Sequence, residues 1–378
     1  MSELLDFQNG INADSSQYGH GIKYISVMDI LNNDYIIYSN IRGMVDINEK
    51  TLNHYSVEYG DIVFQRSSET MEDVGNTNVY LDKEKVATFG GFVIRGKKKS
   101  DYEPFFLKNL LCSPPSRKKI VRMGAGSQHF NIGQDSLSKI VIPLPSITEQ
   151  QKISFFLSLL DKRITKQREL VESLKSYKRG AFLELYKNMA KRTVFFKEIY
   201  LKAAEGGTPS TAISEYYYNG TIPFAKIEDL SQRYLFCTKS FITERGLYNS
   251  SAWLIPQGSV IFSNGATIGA CSINKIDIAT KQGILGIVPQ EDYSSEYLYH
   301  FFTSKIFRKK VKAVTTKGTM DCVYLKDLDY IKIEMPEYNE QLRIGSILNK
   351  IEDILEKNVT ILQKLQCIKN GLLQQLFI

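Results

Sequence analysis

The sequence predicts an α+β chain written twice: a mixed sheet-and-helix domain followed by a long helix, then the same pair again. Three observations carry this. The segment ending the first half lies on the segment ending the second without a gap, at a shift of 191 residues. Each of those segments holds an apolar seam at alternating steps of four and three, for about five heptads. The stretches before them are rich in short β-like runs separated by turn signals, with a short helix expected near 102–111 and 293–304.

The repeat is clearest where IVIPLPSITEQQKISFFLSLLDKRI falls on IKIEMPEYNEQLRIGSILNKIEDIL. Pro145 matches Pro336, Glu149 and Gln150 match Glu340 and Gln341, Lys178 matches Lys369, and Gly180 matches Gly371. Two unrelated helices share an apolar stripe by chance, but not the leading proline, the Glu-Gln pair and the glycine as well. Upstream, with small gaps, GDIVF at 60–64 falls on GSVIF at 258–262, and YISVMDI at 24–30 on FAKIEDL at 224–230. The organisation that follows is a first mixed domain over 1–145, a long helix within 146–192, a second mixed domain over 193–336 and a second long helix within 337–378.

Each helix has its own start signals. Thr148 and Asn339 stand at equivalent positions as candidate N-caps, and Thr148 with Gln151 has the form of a capping box. Glu149 and Glu340 favour the positive end of the helix dipole. The seam then runs Ile153, Leu157, Leu160, Ile164 to Leu185 in one copy, and Ile344, Leu348, Ile351, Leu355 to Leu376 in the other. Some 39 residues make a rod of roughly 60 Å, and a rod with one apolar face needs a partner; the natural one is the other rod. Polar residues interrupt both seams at the same places, Gln167/Asn358 and Lys178/Lys369. A lone polar seam residue is either a solvated defect or a lock on register, and Gln167 with Asn358 is the candidate pair for a lock.

The mixed domains carry the candidate binding surfaces. The triplet Arg117, Lys118, Lys119, with Arg122 beside it, recurs as Arg308, Lys309, Lys310, with Lys312 and Lys317 beside it. A charge run is usually a solvated face. One that recurs at the repeat offset, beside Gly-Ser (126–127) or Gly-Thr (318–319), suits two surfaces that contact phosphates. Tyr216-Tyr217-Tyr218, Phe224 and Trp253 make the second domain rich in aromatics, which core packing explains more readily than base stacking.

Composition bounds the rest. The formal charge of +7 leans mildly toward polyanions. Five scattered cysteines (Cys112, Cys237, Cys271, Cys322, Cys367) make neither a disulfide framework nor a zinc site, as expected of a cytoplasmic protein. No apolar stretch approaches the ~20 residues that span a bilayer, so no membrane is expected as a partner. Gly91 to Lys98 imitates a P-loop, but Lys98 stands where a Ser or Thr should hold Mg²⁺. There is no Asp/Glu-x-Lys tripeptide of a nuclease, no Asn-Pro-Pro-aromatic motif for base methylation and no Gly-x-Gly-x-x-Gly loop. The four histidines fit no zinc motif. No catalytic residue, metal or cofactor is therefore expected in this chain.

The whole chain resembles the specificity subunits of type I restriction–modification systems. The residues that carry the likeness are IPLPSITEQQKI at 142–153, LQKLQCIKNGLLQQLF at 362–377, GGTPST at 206–211, EYYYNGTIPFAKIEDL at 215–230 and SSAWLIPQGSVIFSNGATIG at 250–269, with QNG at 8–10 and YGHGIKYISVMDI at 18–30 similar in kind. The resemblance implies two target-recognition domains, each reading one half of a split double-stranded DNA target. It implies long helices paired antiparallel about a pseudo-twofold, setting the gap between half-sites. It also implies two methyltransferase (modification) subunits carrying S-adenosylmethionine and methylating adenine, and motor-nuclease subunits using ATP and Mg²⁺. The other readings are a two-headed DNA-binding scaffold that acts without modification subunits, and a fused restriction–methylation enzyme, against which the missing motifs argue.

Overall fold

The computed structural model describes residues 1–265, 267–316 and 322–377. It divides into two compact units, one of residues 1–169 with 360–378, the other of residues 170–359. The divisions fall inside the two long helices, so each unit holds one mixed domain with part of each helix.

In the first unit a four-stranded antiparallel sheet has the spatial order Leu5–Asn9, Val93–Lys98, Ile62–Gln65, Thr77–Val79. In the second the order is Tyr200–Glu205, Ile284–Pro289, Val260–Ser263, Cys271–Asn274, with Tyr234–Leu235 added in parallel at the edge. The GDIVF and GSVIF runs supply the interior strands. They are apolar on consecutive residues because both faces are covered, and all four residues of each strand are buried. Register repeats as well: Phe64 faces Ile94, and Phe262 faces Leu285.

A smaller sheet also occurs twice, as Gly43–Val45, Tyr18–Ile25, Thr88–Phe89 and as Ser240–Ile242, Ile222–Ala225, Ala279–Thr280. After its middle strand Asp29 turns back to accept from Ser26 N at 2.8 Å, and Asp229 accepts from Lys226 N at 2.8 Å. The aspartate shared by YISVMDI and FAKIEDL is thus a cap on a tight turn. Gly10 and Gly206, in the QNG and GGTPST motifs, pass so close to a neighbouring strand that a Cβ would sit 2.1 Å from Gly90 O and 2.2 Å from Thr280 O.

Buried helices Pro104–Cys112 and Ser295–Thr303 pack on the larger sheets. Phe64, Phe106 and Leu111 build one core, and Phe262, Phe302 and Phe307 the other.

The long helices span Ile147–Lys187 and Tyr338–Leu376. Their caps lie two residues ahead of the positions expected from sequence. Ser146, not Thr148, opens the first helix: its hydroxyl accepts from Glu149 N at 3.4 Å, and the Glu149 carboxylate returns to Ser146 N at 3.1 Å. In the second, Asn339 lies within the first turn, and Glu337 O accepts from Glu340 N and Gln341 N, each at 3.0 Å. In the first helix the reason is that Glu149, at the third helical position, completes a box with the residue just outside the helix, whereas the Glu340 carboxylate instead accepts from Arg343. A cap at Thr148 would sit after the backbone has already turned helical.

The shared glutamines tie each helix to its own domain. Gln150 accepts from Glu103 N at 3.0 Å and donates to Pro145 O at 2.9 Å. Gln341 accepts from Ser294 N at 3.0 Å and donates to Pro336 O at 3.0 Å. Both side chains are buried, so these bonds also satisfy polar atoms that water cannot reach.

Within each unit the helix segments run antiparallel. In the first, Leu157 shares a core with Phe377, and Lys369 Nζ lies 2.6 Å from Asp161 Oδ1. In the second, Phe182 shares a core with Leu348, and Lys178 pairs with Glu352. These two ion pairs are the same contact written twice, because Lys178/Lys369 and Asp161/Glu352 are both repeat-equivalent. Every residue of the first seam is buried or half-buried, and in the second only Leu376 is exposed.

Candidate nucleic-acid interface

Each basic cluster sits on a short helix that follows directly from a buried one. The buried helix ends at a serine, Ser113 or Ser304, which stands at the N-cap position of the next. Ser304 Oγ accepts from Phe307 N at 3.3 Å. The basic helices are Pro114–Val121 and Lys305–Val314. In the second, Phe307 and Val311, four apart, are buried and anchor one face. Lys305, Arg308, Lys309 and Lys312 then fall at i, i+3, i+4 and i+7, which places them on the opposite face, and all four are exposed. Among the described residues none of these four lies in an ion pair. Lys310 is half-buried, and Lys317 lies outside the described residues.

The first unit handles the same triplet differently. Arg117 donates to Gly75 O and Glu72 O at 2.7 Å and to Val74 O at 2.8 Å. Burial pushes its guanidinium below its usual range. It is a tie holding loop 72–75 against the helix. Lys119 Nζ donates to Val141 O at 3.0 Å from an exposed position, and Lys118 and Arg122 are exposed. The structure thus brings three of these four cations to the surface and turns one inward.

Of the polar seam residues, Gln167 and Asn358 are half-buried, and Asn358 Nδ2 donates to Ile354 O at 2.8 Å. The aromatics of the second domain divide: Phe224 is core, Tyr217 donates to Pro209 O, and Tyr218 is 76% exposed.

A polar network that sequence reasoning missed fixes the second domain to its helix. Arg233, 4% exposed, pairs with Asp353 and Glu356 and donates to Asn349 Oδ1 at 3.0 Å. Asn349 in turn meets His300 Nε2 at 2.8 Å and donates to Glu296 at 3.2 Å. Burial first, then the Lys178 charge, drives the His300 pKa down to about 3, so the ring is neutral. Nothing in the local sequence marks Arg233, since its partners lie over a hundred residues away.

These surfaces can bind and orient an anion. Burial raises the Cys271 thiol far above its ordinary range, which makes it inert. Among the described residues no group of three or more His, Cys, Asp or Glu could hold a metal ion, and no helix is long and apolar enough to cross a membrane.

Known proteins share this architecture. The chain is 32% identical over 170 residues to the type I restriction enzyme MjaIX specificity subunit of Methanocaldococcus jannaschii, covering 43% of this chain and 39% of that one. It is 28% identical over 244 residues to the EcoR124I/EcoR124II specificity subunit of Escherichia coli, covering 61% and 59%. The matched stretches thus span less than two thirds of those relatives. A third relative, the putative MjaX specificity subunit of M. jannaschii, is 23% identical over 383 residues and covers 94% and 86%. The crystal structure of a type I restriction–modification S subunit from M. genitalium has the same fold, with a TM-score of 0.61, 15% identity, and 100% of this chain and 94% of that one covered. The family model of the type I restriction modification DNA specificity domain matches twice, over 7–173 and 191–366, and the chain belongs to that family.

Proposed function

We propose that this chain is the DNA specificity subunit of a type I restriction–modification complex, acting in the cytoplasm and performing no chemistry itself. Each mixed domain reads one half of a bipartite target in double-stranded DNA. The exposed cations of the basic helices (Lys118, Lys119 and Arg122 in one unit, Arg308, Lys309 and Lys312 in the other) contact backbone phosphates, and Lys310 and Lys317 add to the same positive field. The antiparallel helices set the spacing, with Gln167 and Asn358 holding register. They also dock two modification subunits, which carry S-adenosylmethionine, and motor-nuclease subunits, which use ATP and Mg²⁺.

The observation that carries this reading is the duplication itself. One sheet topology, one buried helix and one basic helix are built twice in a chain that matches the specificity domain twice. A binding protein with two similar modules suits a target in two parts. Bases are read by contacts that differ between targets, whereas phosphates need only cations, so the divergent domains and recurring basic helices fit that division of labour.

The test is salt-dependent DNA binding. Replacing Lys118, Lys119 and Arg122 together by alanine, or Arg308, Lys309 and Lys310 together, weakens binding to duplexes of any sequence. It also flattens log K against log salt by about 0.9 for each phosphate no longer neutralised. Unchanged affinity and slope in both variants would remove the basic helices from the interface.

A further inference from the structure

A groove of about 300 Å³ runs in the second unit between the first long helix and the start of the basic helix. Lys175, Lys178 and Arg179 line one side, Ser304, Lys305 and Arg308 the other, and no carboxylate lines it. Glu352 neutralises Lys178, and Lys175 makes a surface pair with Glu172 that solvent competes for. Arg179, Lys305 and Arg308 have no ion-pair partner among the described residues. The groove also opens at the N-terminus of a ten-residue helix, Lys305–Val314, where unbonded backbone N–H groups favour an anion. His300 lies on the floor as a neutral ring whose Nε2–H donates to Asn349 Oδ1, so its buried Nδ1 is an acceptor and the cations and helix N-terminus alone would hold an anion.

The first unit has the same groove from repeat-equivalent residues, with less positive charge: three cations and two carboxylates line it, against five cations and no carboxylate in the second. Gln366, Lys369, Asn370 and Asn109 stand there for Lys175, Lys178, Arg179 and His300. Pro114 replaces Lys305, and Arg117, the counterpart of Arg308, is held by the carbonyls of loop 72–75. Asp34 and Asp161 line it as well, with Lys108, which is buried, and Arg168; Asp161 pairs with Lys369. All three unneutralised cations of the second groove are therefore missing or diverted in the first.

We propose that the groove of the second unit clamps a DNA backbone phosphate and that its counterpart in the first unit does not, so that the two half-sites are gripped unequally. The inference rests on the DNA reading above. The groove is continuous with the exposed face of Lys305, Arg308, Lys309 and Lys312, so a strand lying along that face has its next phosphate at the groove.

The test uses the full chain and non-specific duplex DNA over about 50–200 mM salt. The double variant Arg179→Ala/Lys305→Ala binds more weakly than the parent at low salt. That deficit shrinks by about three- to fourfold, for each phosphate the variant no longer neutralises, as salt rises across the range. The charge-matched variant Lys350→Ala/Lys357→Ala, altered at exposed residues outside the groove, stays within about twofold of the parent at every salt concentration, as expected for positions without a phosphate contact. Equal far-UV circular dichroism and melting temperature show that the variants fold. A groove variant with the parent's affinity and slope, while Arg308→Ala/Lys309→Ala/Lys310→Ala still loses both, overturns this inference and leaves the DNA reading standing. If neither variant loses affinity, the reading of this surface as a DNA interface falls with it. If the groove variant keeps its DNA affinity but loses its modification subunits, the groove holds a protein carboxylate and the phosphate assignment is wrong.

Discussion

At the scale of single residues, His300 shows how burial chooses a protonation state. Its ring is 2% exposed, it meets Asn349 through Nε2, and the cations of Lys178 and Arg233 press on it. Its pKa falls from 6.5 in the unfolded chain to about 3 in the folded one. Between those values the unfolded chain binds a proton that the folded chain refuses. The stability that neutral His300 permits is therefore complete above pH 6.5 and drains away as pH falls toward 3. From pH 6.5 down to about 5 the loss is about 1–2 kcal/mol. Replacing His300 by Asn, the residue at the equivalent position in the first unit, removes that slope. Denaturant titrations at several pH values check it, and a variant as acid-sensitive as the parent would assign the slope to other groups.

At the scale of elements, the long helices combine an apolar seam with one ion pair in each unit. Lys178 and Glu352 have side chains 17% and 10% exposed, and Lys369 and Asp161 18% and 7%. At that burial a broken pair leaves a charge that water only partly solvates. Lys178→Met therefore costs about 1–3 kcal/mol, between the surface and fully buried limits. The exchange Lys178→Glu with Glu352→Lys restores most of it, whereas each reversal alone places two like charges together. A double-mutant cycle on thermal unfolding measures the coupling, and additive effects would show that the pair contributes nothing. The seam was legible in the sequence because a heptad pattern is local. The acidic partners were not, since Asp161 and Glu352 look like ordinary exposed helix residues until the second helix arrives.

At the scale of the molecule, the units cut across the borders suggested by the repeat. A joint at 193 and 336 encloses the second mixed domain but separates Arg233 from Asp353 and Glu356, and Ser294 from Gln341. A joint at 170 and 359 keeps those partners together. Transplanting 170–359 from a distant family member therefore gives a chimera that melts several degrees higher than one made with 193–336, because no buried arginine is orphaned. Under the function proposed above, both chimeras change one half of the methylated target and keep the other. Methylation mapping with thermal melting checks both claims. Equal melting temperatures would mean the network does not hold the domain to its helix.

The sequence alone determined that the chain is a duplicated α+β scaffold, because repeats and apolar periodicity are properties of residues near one another. It located both long helices, the buried helices that start near 104 and 295, and both basic clusters. What each cation does was decided only in three dimensions. Arg117 and Arg308 occupy the same place in the same motif, yet loop 72–75 offers three carbonyls to one, while the other faces a groove. Arg233 is buried by carboxylates more than a hundred residues away. A side chain's charge is written in its own codon, but its partner comes from whatever distant segment the fold brings within 3 or 4 Å, and local pattern holds no record of that segment.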